Sequence, residues 1–274
     1  MLTAAQGLLL GTIQGLTEFL PISSSGHLIL ARDLLHANTE NGLAFDAVLQ
    51  LGSILAVYIY FRQDVWRLIC AAWSFVRPDF RLSTFDFKLY RSLLKILIIG
   101  TIPALILGLL LEKTMETIFR SAGLVALMLV VGSSLFWLAE KYAKQTSDLA
   151  KPEQAWWIGV FQTLALIPGM SRSGSTISGG LLFGLKREAA ARFSFLLSLP
   201  VITGSGLLML YKLTKHGAQD FSGASLALGF AASLVVGYAC IAWLLSYLKK
   251  HSLMVFVWYR LFLAAIVFVV LSAK

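Results

Sequence analysis

Long runs of apolar residues, separated by short polar connections, occupy most of this chain. Six of the runs approach the roughly 20 apolar residues with which an α-helix crosses a bilayer. They lie at 45–61, 92–111, 121–140, 193–211, 226–247 and 253–272. The pattern predicts an all-α polytopic integral membrane protein, in which residues 1–274 form a single membrane domain.

Two further apolar runs, 2–20 and 156–167, are interrupted at Pro21 and Pro168. Serine and glycine follow each proline, and a second short apolar run comes after them. Because proline cannot continue a helix and serine caps the next one, we predict two re-entrant hairpins, at 2–35 and 156–185. Irregular backbone at that depth is tolerated only where protein or a wet cavity satisfies it.

The composition excludes an ordinary soluble domain. Hydrophobic residues make up 58% of the chain and charged residues 14%, whereas soluble domains are about 45–50% apolar and about 25% charged. The net charge of +9 does not indicate a nucleic-acid partner, because basic residues collect in the cytoplasmic connections of membrane proteins. The expected surroundings are therefore a lipid bilayer.

Basic residues also predict the orientation of the chain. Most Lys and Arg residues fall in the connections 62–95, 140–155, 184–192 and 249–250. The positive-inside rule makes these connections cytoplasmic, so both termini face outward, the first hairpin enters from outside and the second from inside. Segment 62–91 is expected to lie partly on the cytoplasmic membrane surface, anchored by Trp66, Trp73 and Phe75.

The two halves of the chain resemble each other. Residues 14–26 read QGLTEFLPISSSG and residues 162–174 read QTLALIPGMSRSG. We therefore predict an inverted-topology repeat with halves at 1–141 and 154–274, each a re-entrant hairpin plus three spans. Since an odd number of spans reverses the orientation of the second half, the ligand site is expected where the halves meet.

The two hairpin tips carry the candidate functional residues. The first tip offers Glu18, Ser23, Ser24, Ser25, Gly26 and His27, and the second offers Ser171, Arg172, Ser173, Gly174, Ser175 and Thr176. Each tip begins a half-helix, whose free N–H groups and positive dipole end suit phosphate, and Arg172 adds a matching charge. A pyrophosphate on a lipid tail fits such a site best.

Glu18 would repel a phosphate unless a cation lies between them. A hard divalent cation, Mg²⁺ or Ca²⁺, takes one or two carboxylates together with phosphate oxygens. Gln14, one helical turn earlier, would supply a carbonyl oxygen or would only bond a neighbouring helix. Because burying a charge in a membrane is costly, Glu18, His27 and Arg172 are expected to be functional.

Two long motifs carry a resemblance to a known family. QGLTEFLPISSSGHL from Gln14 and PGMSRSGSTISGG from Pro168 resemble the undecaprenyl-diphosphatases, bacterial membrane phosphatases that are also called bacitracin-resistance proteins. The resemblance implies hydrolysis of undecaprenyl diphosphate to the monophosphate and phosphate at the outer face of the plasma membrane. Such an enzyme recycles the lipid carrier for cell-wall synthesis and confers bacitracin resistance.

The resemblance also implies roles for single residues. The (E/Q)xxxE motif of the family falls on Gln14 and Glu18, its serine and histidine on Ser24 and His27, and its arginine on Arg172. Position 14 carries glutamine, so only one carboxylate is offered to a metal. We favour Ser24 as the nucleophile with His27 as its proton partner; His27 itself and water are the alternatives.

A different class of function remains open at the sequence level. The inverted repeat alone favours a transporter or flippase of polyprenyl phosphate lipid, in which Glu18 and His27 would form a proton relay. Phosphate release by the purified protein separates the two hypotheses, because a carrier releases none. The sequence leaves open a homodimer and the accepted prenyl chain length.

Overall fold

The computed structural model describes residues 2–35, 42–77, 87–117, 121–216 and 221–273, without the side chains of residues 43, 112–117 and 212–216. Eleven α-helices occupy these ranges. They are α1 (Ala4–Phe19), α2 (Ser24–Leu34), α3 (Gly42–Tyr60), α4 (Arg62–Val76), α5 (Phe87–Thr117), α6 (Ala122–Tyr142), α7 (Pro152–Thr163), α8 (Arg172–Leu182), α9 (Arg187–His216), α10 (Gly223–Leu248) and α11 (Met254–Ser272). A single 3-10 turn, Leu164–Leu166, follows α7.

The helices confirm the predicted multi-pass membrane architecture. Five of those described, α5, α6, α9, α10 and α11, are long and apolar enough to cross a bilayer. A sixth candidate is α3, which passes the same test only together with α4, from which it is bent by 83°. Each of the six predicted spans falls on one of these helices. In lipid, a run of some twenty apolar residues can hydrogen-bond all its backbone N–H and C=O groups only as a helix.

The chain breaks at both predicted hairpins. Between α1 and α2 the break includes Pro21, and between α7 and α8 it includes Pro168. The two helices of each hairpin pack against each other, as a reversal of the chain requires. The entry of the hairpins from opposite membrane faces stays a prediction.

Helix α4 matches the expected surface segment in its shape. It turns 83° away from α3 and exposes Trp66, Trp73 and Phe75. On its opposite side, Asp64 bonds α4 to α5 and α9, because it accepts hydrogen bonds from Tyr90 (2.8 Å) and Arg192 (2.6 Å). Residues 78–86 of the predicted segment 62–91 lie outside the described residues, and the interfacial location of α4 stays a prediction.

Small residues let α1 approach α10 closely. Gly7, Gly11 and Gly15 lie one turn apart on α1, and a Cβ added at Gly15 would come within 2.9 Å of the backbone nitrogen of Gly237. Lipid tails are as apolar as the helices, so close backbone packing through such small residues drives helix association in membranes. This interface places the C-terminal end of α1, which carries Gln14 and Glu18, inside the bundle.

Equivalent helices of the two predicted halves make equivalent contacts with the opposite half or their own. Helix α1 packs on α10, and its counterpart α7 packs on α5; α3 packs on α10, and its counterpart α9 packs on α5. Glycines lie at the close approach of α1 to α10, where Gly11 faces Gly229, and of α7 to α5, where Gly159 faces Gly100. These pairings support the repeat boundaries at 1–141 and 154–274, which stay a prediction.

Candidate functional site

The two hairpin tips share an unusual backbone conformation. Ser23 precedes α2 with φ 76°, and Ser171 precedes α8 with φ 73°. Each serine hydroxyl accepts a hydrogen bond from the N–H three residues later, of Gly26 (3.4 Å) and of Gly174 (3.2 Å). Positive φ values are uncommon outside glycine and cluster at functional sites. The same strained conformation at both tips therefore indicates that both belong to a functional site.

The tips lie in direct contact. The Gly169 N–H donates to the Ser23 hydroxyl at 3.1 Å, and the Ser173 hydroxyl donates to the Leu20 carbonyl at 3.1 Å. These bonds join residues that are 146 and 153 positions apart in the sequence. The structure therefore brings together the two groups of residues that the sequence singled out.

Glu18 lies at the centre of this junction. Arg172 Nη2 donates to its Oε1 at 2.9 Å, while the Ser24 hydroxyl (2.7 Å) and Gln14 Nε2 (3.0 Å) donate to its Oε2. The side chains of Glu18 and Arg172 are only 6% and 12% exposed, so the ion pair is poorly screened by solvent. Four of the predicted residues thus form one hydrogen-bonded cluster.

Arg172 has a partner that the sequence did not predict. Its charge was expected to face a phosphate, but in the structure it is balanced by Glu18, and Nη1 donates to the Ser194 carbonyl at 3.1 Å. Glu18 and Arg172 come from different tips, so only the meeting of the tips creates the pair. The guanidinium is held in one orientation by these two bonds.

Among the described residues no hydrogen bond joins His27 to Ser24, the pair that we favoured from the sequence for proton transfer. Its Nδ1–H donates to the Ser23 carbonyl at 2.7 Å, and its Nε2 therefore accepts from the Tyr259 hydroxyl at 2.8 Å. Ser24 and His27 are three residues apart on α2, yet Ser24 faces Glu18 and His27 faces α11. Glu18 takes the position of proton acceptor for Ser24.

The other predicted phosphate ligands mostly hold the tips in shape. Ser25 contacts Ser23 (3.4 Å), Ser173 contacts Ser171 (3.2 Å), and the Thr176 hydroxyl contacts Ser194 (2.6 Å). The Ser175 hydroxyl is buried with no partner among the described residues. Ser194, which contacts both Arg172 and Thr176, was not predicted from the sequence. A serine inside an apolar span is a pattern that could have indicated it.

Backbone N–H groups remain for an anion. The first turn of each helix uses only the N–H of Gly26 or Gly174 for its serine cap. The N–H groups of residues 24 and 25, and those of residues 172 and 173, have no acceptor within the described ranges. Two helix N-termini therefore direct unpaired donors and positive dipole ends towards the same junction.

A divalent cation fits this site only with help from a ligand. The part of the chain that the structure describes contains no cluster of three or more His, Cys, Asp or Glu side chains suited to a metal. Gln14 Oε1 is buried without a partner, one helical turn before Glu18. One carboxylate and one amide oxygen suit Mg²⁺ or Ca²⁺ when phosphate oxygens and water complete the coordination.

Comparison with known proteins gives matches over nearly the whole chain. The family model described as Bacitracin resistance protein BacA matches residues 7–266. Similar proteins named undecaprenyl-diphosphatase come from Micrococcus luteus (42% identical, over 99% of this chain and 98% of the relative) and Rubrobacter xylanophilus (43%, over 97% and 98%). A third, from Trichlorobacter lovleyi, is 45% identical over 92% of this chain and 91% of its own.

Proposed function

The chain belongs to the bacitracin resistance protein family, and we propose that the Glu18 cluster is the active site with which it hydrolyses undecaprenyl diphosphate. The products are undecaprenyl phosphate and inorganic phosphate, so the protein is a phosphoric anhydride hydrolase that returns a lipid carrier to cell-wall synthesis. One observation carries the assignment of the site. A serine hydroxyl donates to a buried carboxylate at 2.7 Å, and an arginine from the other tip holds that carboxylate.

In the proposed first step, Ser24 Oγ attacks the terminal phosphorus of the diphosphate. Its proton passes to Glu18 Oε2, the atom to which it already donates at 2.7 Å. A bond forms between Oγ and phosphorus, the bond from phosphorus to the bridging oxygen breaks, and undecaprenyl phosphate leaves with the electron pair. An adjacent general base is the usual way to activate a serine hydroxyl.

In the proposed second step, water attacks the phosphoserine. His27 Nε2 accepts the proton of the water after releasing the Tyr259 hydroxyl, and Ser24 Oγ leaves phosphorus and recovers its proton from Glu18. His27 then returns its proton to the released phosphate. The geometry supports this role because Nδ1 is fixed as a donor by the Ser23 carbonyl, which leaves Nε2 as the basic nitrogen.

Negative charge grows on the phosphoryl oxygens during both displacements. The unpaired N–H groups that begin α2 and α8, together with Arg172, are preorganised to stabilise it. Glu18 and Gln14 are the residues that would hold a divalent cation, which when bound neutralises charge on the same oxygens.

The proposed location is the bacterial plasma (inner) membrane, with the site opening to the outer face. The Lys and Arg distribution supports this orientation, since most basic residues lie in connections assigned to the cytoplasm. A homodimer is compatible with the proposal and is not needed by it, because all the residues in the mechanism come from one chain.

The transporter or flippase hypothesis is not favoured. Family membership and the names of the relatives both point to a phosphatase, and a serine bonded to a carboxylate serves hydrolysis better than passive lipid movement. The distinction rests on whether the purified protein releases phosphate.

The test uses purified protein in detergent and a lipid diphosphate substrate. We expect wild-type protein to release inorganic phosphate, and Ser24→Ala to lower kcat by about a thousandfold or more. Ser134→Ala is the matched control, because Ser134 is exposed and its hydroxyl bonds the carbonyl of Val130 on its own helix. Absence of phosphate release by wild type would overturn the function; full activity of Ser24→Ala would overturn the nucleophile.

A further inference from the structure

Two consecutive residues of α11 reach both hairpin tips. The Tyr259 hydroxyl donates to His27 in the first tip at 2.8 Å, and Arg260 Nη2 donates to the Gly169 carbonyl in the second tip at 2.9 Å. Between them, His27 donates to the Ser23 carbonyl (2.7 Å), and the Gly169 N–H donates to the Ser23 hydroxyl (3.1 Å). These four bonds close a ring that runs from α11 through both tips and back.

Arg260 anchors α11 at the second tip. The residue is fully buried, and no carboxylate pairs with it among the described residues. Its guanidinium instead donates to the carbonyls of Met128 (3.1 Å), Leu129 (3.2 Å) and Gly169 (2.9 Å) and lies over the ring of Phe136. Burying an unpaired cation costs several kcal/mol, so its fixed bonds to a tip indicate a role in holding that tip.

Gly169 allows this anchor to form. Its φ of +101° belongs to the region that favours glycine, and a Cβ there would lie 2.7 Å from both the Met128 side chain and the Val125 carbonyl. The tip therefore rests directly on the backbone of α6, where Arg260 can reach its carbonyl. This contact fixes the second tip relative to the position of Tyr259.

Tyr259 holds the ring plane of His27, while the Ser23 carbonyl determines which ring nitrogen accepts. The two rings stack with centroids 5.7 Å apart and an angle of 8° between their planes. Because His27 Nδ1 must donate to a carbonyl, its Nε2 carries a lone pair, and the tyrosine hydroxyl is the donor. The bond from Tyr259 therefore keeps the His27 ring in this orientation, with Nε2 as its accepting nitrogen, until that bond is released.

We propose that Tyr259 is a positioning residue of the phosphatase site, which orients His27 for proton transfer across the junction of the two tips. The inference rests on the proposed function and on the second step assigned to His27. Tyr259→Phe keeps the stacked ring and removes only the hydroxyl. We expect kcat to fall by about threefold to tenfold, the value of one hydrogen bond, with little change in KM, because Tyr259 acts through His27.

The experiment is a double-mutant cycle measured by phosphate release. We expect Tyr259→Phe to lower kcat in wild type and to have no further effect in the His27→Gln background. A merely structural contribution of Tyr259 would instead lower kcat by the same factor in both backgrounds, and that outcome overturns the proposal. Trp258→Phe is the matched control, since Trp258 is the exposed neighbour on α11 and is expected to keep the wild-type kcat.

Nitrogen NMR of isotope-labelled histidines supplies a readout that does not depend on turnover. The signal missing in His27→Gln identifies His27, and we expect Tyr259→Phe to move its Nε2 resonance towards the value of a nitrogen without a hydrogen bond. An unmoved resonance overturns the proposal. Wild type and Ser24→Ala in the same phosphate assay separate the causes: an inactive wild type refutes the phosphatase and this inference together, whereas additive kcat losses in an active enzyme refute only the inference.

Discussion

At the scale of single residues, the pairing of Glu18 with Arg172 organises the site. The guanidinium bonds Glu18 through one nitrogen and the Ser194 carbonyl through another, so its direction is fixed by two acceptors. A carboxylate held in this way keeps one oxygen turned towards Ser24. The ion pair thus positions the base for the nucleophile and also brings positive charge to the place where phosphate must bind.

Replacing Arg172 with lysine should separate charge from shape. A lysine ammonium preserves the charge, but it cannot copy the planar fork that contacts two acceptors in fixed directions. We expect Arg172→Lys to lower kcat/KM for phosphate release by about a hundredfold, measured with purified protein. Arg62→Lys, at an exposed position at the start of α4, is the control and should retain activity; wild-type turnover by Arg172→Lys would contradict the role assigned to the fork.

The sequence predicted the members of the site better than their partners. Glu18 and Arg172 stood out because ionisable groups are costly inside an apolar chain, and the family resemblance pointed to Ser24; all three meet in the structure. The partners of His27 and Arg172 escaped prediction. Tyr259 reads as one more aromatic residue in an apolar helix, and nothing local links it to a histidine 232 positions away.

At the scale of elements, the tips depend on close packing against α6. Gly174 comes so near to the ring of Phe136 that a Cβ there would overlap it, which lets α8 begin beside Glu18. The same need for small residues brings α1 against α10. The breaks at Pro21 and Pro168 were predictable, because serine and glycine after each proline favour the start of a new helix. The glycine interface of α1 was not predictable, since Gly7, Gly11 and Gly15 lie in a run that is apolar throughout.

Enlarging Gly174 should disturb the site through this packing. We expect Gly174→Ala to destabilise the protein by about 1–3 kcal/mol, because the Phe136 ring must move, and to lower phosphate release even where the protein stays folded. Gly204→Ala is the matched control: a Cβ there would meet nothing within 4 Å, so stability should be unchanged or slightly higher. Thermal unfolding in detergent measures both, and equal effects of the two variants would contradict the packing argument.

At the scale of the whole molecule, the protein is a bundle whose two halves each contribute one broken helix to a shared junction. Apolar run length was sufficient to predict six crossings, because a bilayer admits few alternatives to a helix. Helix contacts could not be deduced in the same way. They depend on which small residues face each other across distant segments, such as Gly159 and Gly100, and a single sequence does not pair them.

The predicted orientation can be tested by labelling intact cells. In a background with Cys70 and Cys240 replaced, a single cysteine at Ala224 should react with a membrane-impermeant maleimide, because the connection before α10 is predicted to face outward. A single cysteine at Asp148, 75% exposed in a connection predicted to be cytoplasmic, should react only after the cells are opened. The reverse pattern of labelling would contradict the orientation.

The stereochemistry at phosphorus tests the central claim most directly, namely that a side chain of the enzyme, assigned as Ser24, attacks the terminal phosphoryl group before water releases it. A lipid diphosphate whose terminal thiophosphoryl group is made chiral with oxygen isotopes would be hydrolysed in isotopically labelled water, and the configuration of the released thiophosphate determined. Each in-line displacement inverts phosphorus, so the two proposed steps predict overall retention. Overall inversion would mean that water attacks the substrate in a single step, and it would contradict the account.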